Sequence, residues 1–232
     1  MKLPQPLHPG TLIHRYKRFL ADVELASGEI VTAHCPNTGS MMGCAEPGNP
    51  VLISFNDSPH RKLHYTWELV NVNGQWAGIN TGLPNKLTRE AIENGIIKEL
   101  SGYETIRPEV KYGANSRIDL LLSGPPGLCY VEVKNVTLVN GDLALFPDAV
   151  TLRGQKHLHE LMLMVQTGSR GVIFFVVQRG EACCLAPADA IDPEYGRLLR
   201  LAVKNGVEAL AYQAEVQPRE IVLARSLPIR LD

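Results

Sequence analysis

Cys129-Tyr130-Val131-Glu132-Val133-Lys134-Asn135-Val136 decides how this chain is read. It has the composition of a buried strand, and strand side chains alternate between faces. Glu132 and Lys134 therefore share one face with Tyr130 and Val136, while Val131 and Val133 take the other. Two opposite charges in an apolar strand need partners, because desolvation costs on the order of several kcal/mol per ion. In the preceding strand-like stretch, Arg117 to Leu122, the alternation sets Ile118, Leu120 and Leu122 on one face and Asp119 with Leu121 on the other. The turn Gly124-Pro125-Pro126-Gly127 joins the two as a hairpin, which is expected to bring Asp119 to Glu132. Two carboxylates on adjacent strands can hold one Mg²⁺ (or Mn²⁺) with water completing the octahedron. Such an ion polarises a phosphoryl oxygen and acidifies a bound water. A lysine on the same face orients that water or steadies the transition state. The chemistry implied is metal-assisted phosphodiester hydrolysis; the plainer reading of Glu-x-Lys is a same-face ion pair that serves the fold.

Working outward, the flanking pattern reads α-β-β-β-α-β. Thr88 is expected to cap a helix carrying Glu90 in its first turn and Ala91, Ile92, Gly95, Ile96 and Leu100 at helical spacing. Strands over Thr105 to Tyr112, Arg117 to Leu122 and Cys129 to Leu138 follow. A second helix, Leu152 to Gln166, shows a core-facing stripe of Leu158, Leu161, Met162 and Val165 and stops at Gly168. Gly171 to Val177 has the composition of a strand buried on both faces. A helical turn over Glu194 to Asn205 and strands over Val207 to Ala214 and Ile221 to Ala224 end the pattern. Upstream, Leu12 to Leu25, Ile30 to Ala33, Val51 to Phe55, Leu63 to Val72 and Gln75 to Ile79 are strand-like, with Gly28-Glu29 and Asn73-Gly74 as hairpin turns. Five short strands in so short a stretch suggest a small OB- or SH3-like barrel. The α+β chain thus divides into residues 1–86, the barrel, and 87–232, the α/β domain.

Composition narrows the class. The 232 residues are 45% hydrophobic and 20% charged, and 23 Lys and Arg against 24 Asp and Glu give a net charge of −1. Bulk charge therefore does not drive polyanion binding; any such binding comes from local clusters. The longest apolar run, Val172 to Val177, falls far short of the roughly 20 residues of a membrane span. The N-terminus, with Pro4, Pro6, His8 and Pro9, lacks the apolar core of a secretory signal. Five cysteines without a CxxC pair suit a reducing cytoplasm better than a disulfide framework. His157 and His159 diverge on a helix and cannot share a metal, and His60 and His64 lie in a loop-and-strand segment. The sequence contains no GxSxG, P-loop or GxGxxG.

On this framework the Asp…Glu-x-Lys pattern resembles the PD-(D/E)xK nuclease superfamily, the restriction-endonuclease-like fold. More closely, Gly113-Ala114-Asn115-Ser116-Arg117-Ile118-Asp119, Tyr130 to Thr137 and Phe146-Pro147-Asp148-Ala149-Val150-Thr151-Leu152-Arg153-Gly154-Gln155-Lys156-His157-Leu158 resemble the sugar fermentation stimulation protein A family. Pro36-Asn37-Thr38-Gly39-Ser40-Met41 extends the likeness to the N-terminal part. The resemblance implies an OB-like domain, a nuclease-like domain and non-specific DNA binding linked to regulation of sugar, notably maltose, utilisation. It makes Asp119 and Glu132 metal ligands and Lys134 the catalytic lysine, with Ile118 standing where the motif name has proline. Many such nucleases add an acidic residue from the first helix, for which Glu93 and Glu99 are the candidates. A non-catalytic DNA-binding regulator on the same scaffold is the alternative; a sugar-responsive factor is a third, without a visible sugar-binding signature.

Further candidates for contact with nucleic acid are basic. Asp148 or Thr151 is expected to cap the second helix, whose Arg153, Lys156, His157 and Glu160 form one stripe that can meet a phosphate. In the barrel, His14-Arg15-Tyr16-Lys17-Arg18-Phe19 and His60-Arg61-Lys62-Leu63-His64 interleave basic and aromatic residues, a pattern that tracks phosphates and stacks bases. Residues 1–86 carry seven Lys and Arg against six Asp and Glu, so attraction would rest on clustering and be salt-dependent.

Overall fold

A computed structural model describes residues 1–113 and 116–232. Ala114 and Asn115, part of the stretch that leads into Asp119, lie outside the described residues. The first part is a closed barrel of β1 (Leu7–Tyr16), β2 (Leu20–Leu25), β3 (Ile30–His34), β4 (Pro50–Phe55) and β5 (Tyr65–Val72), with β6 (Gln75–Gly78) paired to β5. The order β3-β2-β1-β4-β5 closes through a parallel pairing of β3 with β5. Leu12, Val23, Ile53 and Trp67 fill the interior, as strand alternation requires.

The single run expected over Leu12 to Leu25 is two strands. The chain reverses at Lys17 and Arg18, both at positive φ, without the Gly or Asn that usually marks such a turn. Asn73-Gly74 does carry that signal and turns β5 into β6, both residues again at positive φ.

α1 (Pro84–Glu93) leads into the second part. It begins at Pro84, a favoured first-turn residue, and Thr88 lies buried inside it rather than capping it. A six-stranded sheet follows in the order β15-β14-β12-β9-β8-β7, built from β7 (Thr105–Tyr112), β8 (Ser116–Gly124), β9 (Gly127–Val136), β12 (Arg170–Val177), β14 (Glu208–Val216) and β15 (Ile221–Leu227). β9, β12 and β14 run parallel. Val172, Phe174 and Val176 of β12 pack with α1 residues and with Leu52 and Leu69 of the barrel strands; Ile173, Phe175 and Val177 pack with α2 (Leu152–Gln166) and α3 (Pro193–Lys204). Cover on both faces explains the unbroken apolar run. Sequence periodicity missed the small sheet of β10 (Leu138–Asn140), β11 (Leu143–Phe146) and β13 (Cys184–Pro187), whose strands of three or four residues are too short to show alternation.

Thr151 caps α2 through Gly154 N, and the buried Asp192 caps α3 through Tyr195 N. Asp192 also accepts from Thr151 N and Gln155 Nε2, so one carboxylate ties the start of α2 to the start of α3. Asp192→Ala is expected to cost about 2–4 kcal/mol, the lost cap plus donors left unsatisfied in the interior. A shifted urea midpoint at unchanged slope measures it; a shift near zero would show that the tie is dispensable.

Candidate active site

β8 and β9 pair from Gly124↔Gly127 to Leu120↔Val131, and there the ladder ends. One residue further, the Asp119 carboxylate takes over as acceptor: Oδ2 receives Val133 N at 2.8 Å. The other partner of β8 is irregular at the same level, with Glu109 of β7 at a φ of 55°. Ile118, two residues from Leu120, accordingly packs with the α2 and α3 side, whereas Leu120 and Leu122 pack with the α1 side. The strict alternation expected along β8 fails because the strands part. The gap holds the candidate site.

Glu132 is only 2% exposed. Its Oε1 accepts from Lys134 Nζ at 2.7 Å and lies against His157 Nδ1 of α2. His157 Nε2 faces Arg153 Nε at 3.4 Å, so a hydrogen on Nδ1 satisfies both neighbours. Glu132 Oε2 is buried and has no hydrogen-bond partner among the described residues. The two carboxylates are driven apart in acidity. Burial raises the Asp119 carboxyl, the Glu132 charge adds to the rise, and Val133 N–H, Lys134 and Asn85 offset only part of it. Burial would raise Glu132 as well, but Lys134 and His157 outweigh it and hold that carboxyl below its ordinary range.

The first helix contributes an amide, not an acid. Asn85 Nδ2 donates to Asp119 Oδ1 at 2.8 Å. Glu93 is exposed and paired with Arg89, and Glu99 accepts from Tyr212 Oη; neither touches Asp119, Glu132 or Lys134. Glu93 ends α1 and Glu99 lies beyond it, whereas the residue at the site occupies the first turn, just after Pro84.

His157, expected to face phosphate, is buried and holds Glu132 instead. Arg153 and Lys156 are exposed on α2, and Lys156 pairs with the buried Glu160 at 3.6 Å. Lys17 and Arg18 are exposed at the β1–β2 tip. Arg15, however, donates its guanidinium to the carbonyls of Arg18, Asn37, Gly39 and Ser40, and so holds that tip to the loop after β3. The loop in turn docks on the second part of the chain. Ser40 Oγ donates to the Asp148 carbonyl at 2.6 Å, and Met41 N to Asp148 Oδ2 at 2.9 Å. A Cβ at Gly39 would stand 2.8 Å from Asp148 Oδ2, which accounts for glycine there. Asp148, one of two expected caps, serves this joint, and Thr151 is the cap.

A divalent cation fits the donor set. Asp119 and Glu132 supply carboxylate oxygens, and Glu132 Oε2 is a buried acceptor awaiting a partner. Among the described residues no three His, Cys, Asp or Glu side chains form a metal cage. Two carboxylates with water suit Mg²⁺, which dehydrates reluctantly.

A family model described as the sugar fermentation stimulation protein RE domain matches residues 82–220, and one described as the SfsA N-terminal OB domain matches 13–79. Among curated proteins, the sugar fermentation stimulation protein homolog of Geobacter sulfurreducens is 69% identical over 229 residues, 99% of this chain and 98% of that protein. That of Geobacter metallireducens is 68% identical over 232 residues, all of both chains. Among solved structures, that of Pyrococcus furiosus SfsA in complex with Ca²⁺ superposes with a TM-score of 0.90 at 29% identity, covering 99% of each chain.

Proposed function

This chain belongs to the sugar fermentation stimulation protein family, and we propose that it is a DNA-binding protein whose second part hydrolyses phosphodiesters with Mg²⁺ or Mn²⁺. One observation carries the reading: Glu132, buried, leaves Oε2 unpartnered beside Asp119, with Lys134 2.7 Å from Oε1. A bound cation would supply Lewis-acid activation of a phosphoryl oxygen and of water. The Ca²⁺ held by the Pyrococcus relative supports a divalent ion here. Asp119 and Glu132 would hold it, Asn85 and Val133 N–H fix the Asp119 rotamer, and His157 fixes Glu132. Lys134, on the same face as Glu132, would steady the negative charge that develops on the phosphoryl oxygens. The family name supports a link to sugar utilisation. Among the described residues no helix is long and apolar enough to cross a membrane. Five free thiols, four of them buried, support a reducing cytoplasm.

End-labelled single- and double-stranded DNA, incubated with Mg²⁺, Mn²⁺ or EDTA, tests the proposal directly. Cleavage should require metal and fall about 10²–10³-fold in Lys134→Ala, the usual loss for a transition-state charge contact. Cleavage indifferent to EDTA and to Lys134 would sink it. The regulator reading has one observation in its favour: the Lys134–Glu132 pair is already neutralised within the fold. Binding without product, unchanged in Lys134→Ala, would establish that reading. Asn85→Ala should weaken Mn²⁺ binding about 10- to 100-fold by calorimetry, as removal of a group that orients a ligand does. An unchanged affinity would remove Asn85 from the site.

A further inference from the structure

Four exposed apolar side chains stand on segments that meet at one joint between the two parts of the chain. They are Phe19 (48% exposed), Met42 (53%), Val150 (65%) and Leu152 (75%). Of the other exposed apolar residues, Phe55 packs in an aromatic cluster with His8, His64 and Tyr65 on the barrel, and the rest are scattered over other elements. These four are tied together. Arg15 clamps the carbonyl of Arg18 to those of Asn37, Gly39 and Ser40; Ser40 and Met41 are fastened to Asp148; and two residues later come Val150 and the start of α2. Arg18 and Arg153 stand exposed at the two ends of this rim. Arg153 is one helical turn, about 6 Å, from His157, which touches Glu132.

We propose that this rim binds a single strand of nucleic acid, stacking a base on Phe19 and packing others against Met42, Val150 and Leu152 while Arg18 and Arg153 follow the phosphates. The inference rests on the phosphodiester-hydrolysis reading and specifies the form of its substrate. Exposed apolar side chains flanked by two guanidinium groups match a polymer of flat bases strung on anions. A paired duplex hides its base faces and would offer these side chains nothing but phosphate and groove edges. The rim is also rigid. Hydrogen bonds to four carbonyls and to Asp148 hold it, so little ordering is lost when a strand settles on it. A bound strand would run from the barrel tip toward Lys134.

Fluorescence anisotropy with labelled oligothymidylate and a matched duplex, in the intact chain with Ca²⁺ present, tests this. The triple variant Phe19→Ala, Met42→Ala, Leu152→Ala should lose single-strand affinity by roughly tenfold or more. Ile30→Ala with Leu163→Ala, two exposed apolar residues off the rim, should bind as wild type. Equal affinity in the triple variant, the same loss in the control, or wild-type preference for the duplex would each overturn the inference. Cleavage by the same wild-type protein separates the two failures. If wild type cuts and the triple variant binds normally, the rim is wrong and the active site stands. If wild type neither binds nor cuts, both fall. All five substituted side chains are exposed, so folding is not at issue.

Discussion

Glu132→Ala is expected to destabilise the protein by about 3 kcal/mol, near the low end of the roughly 3–5 kcal/mol seen when one partner of a buried ion pair is removed. The alanine leaves Lys134, whose side chain is 13% exposed, without the oxygen 2.7 Å from its ammonium. It also leaves the buried His157 without the acceptor for Nδ1. Asp119 remains nearby as a partial counter-charge, which keeps the cost from the top of the range. Glu132→Ala combined with Lys134→Met should recover most of the loss, because the stranded charge is then gone. pH gives a second signature. The folded protein binds a proton at Glu132 more weakly than the unfolded chain does, so its contribution is full above the ordinary glutamate range. It is lost as pH falls through the depressed folded value. The gap in urea stability between wild type and Glu132→Ala should therefore narrow below about pH 4. A gap constant from pH 7 to pH 3, or a double variant no better than the single, would show that Glu132 is not held by these two neighbours.

The parts of the fold legible in the sequence are those where one local rule acts alone. Alternation along β9 set Glu132 and Lys134 on the same face, and both turn toward α2. The apolar run of β12 announced cover on both faces, and α2 showed its stripe. What was hidden depended on long-range contact. Nothing local distinguishes Asn85 from any polar residue beside a proline; its role exists because α1 crosses the point where β8 leaves β9. Arg15 reads as a phosphate ligand because it belongs to a run that interleaves basic and aromatic residues. Its carbonyl partners at Asn37, Gly39 and Ser40 lie more than twenty residues away. His157 shows the same limit. Helical spacing groups it with Arg153 and Lys156, but the helix also turns it against Glu132, where it is buried.

Asp119→Asn should have the opposite effect on the metal-free protein: stability equal to wild type or higher by about 0.5–2 kcal/mol, the gain typical when a functional site is relieved of strain. Asp119 sits with its carboxyl raised by burial and by Glu132, which means that the folded state binds its proton more tightly than the unfolded chain. That preference aids folding fully below the ordinary aspartate range and is lost as pH rises through the raised folded value. At neutral pH the charge is a cost to the fold, and asparagine removes it. The hydrogen bonds survive the exchange. Asparagine Oδ1 can still accept from Val133 N, and the Asn85 amide can turn to offer its oxygen to the new NH₂. What should not survive is the proposed cation binding. For wild type, metal at a hundredfold excess over Kd should add about 2.7 kcal/mol, or roughly 5–10 °C in Tm for a chain of this size. In Asp119→Asn that shift should be absent at the same Mg²⁺ or Mn²⁺ concentration. A thermal melt with and without metal reads both effects at once. An undiminished shift would place the ion elsewhere, and a metal-free variant weaker than wild type by more than 1 kcal/mol or so would make Asp119 a structural residue whose charge the fold needs.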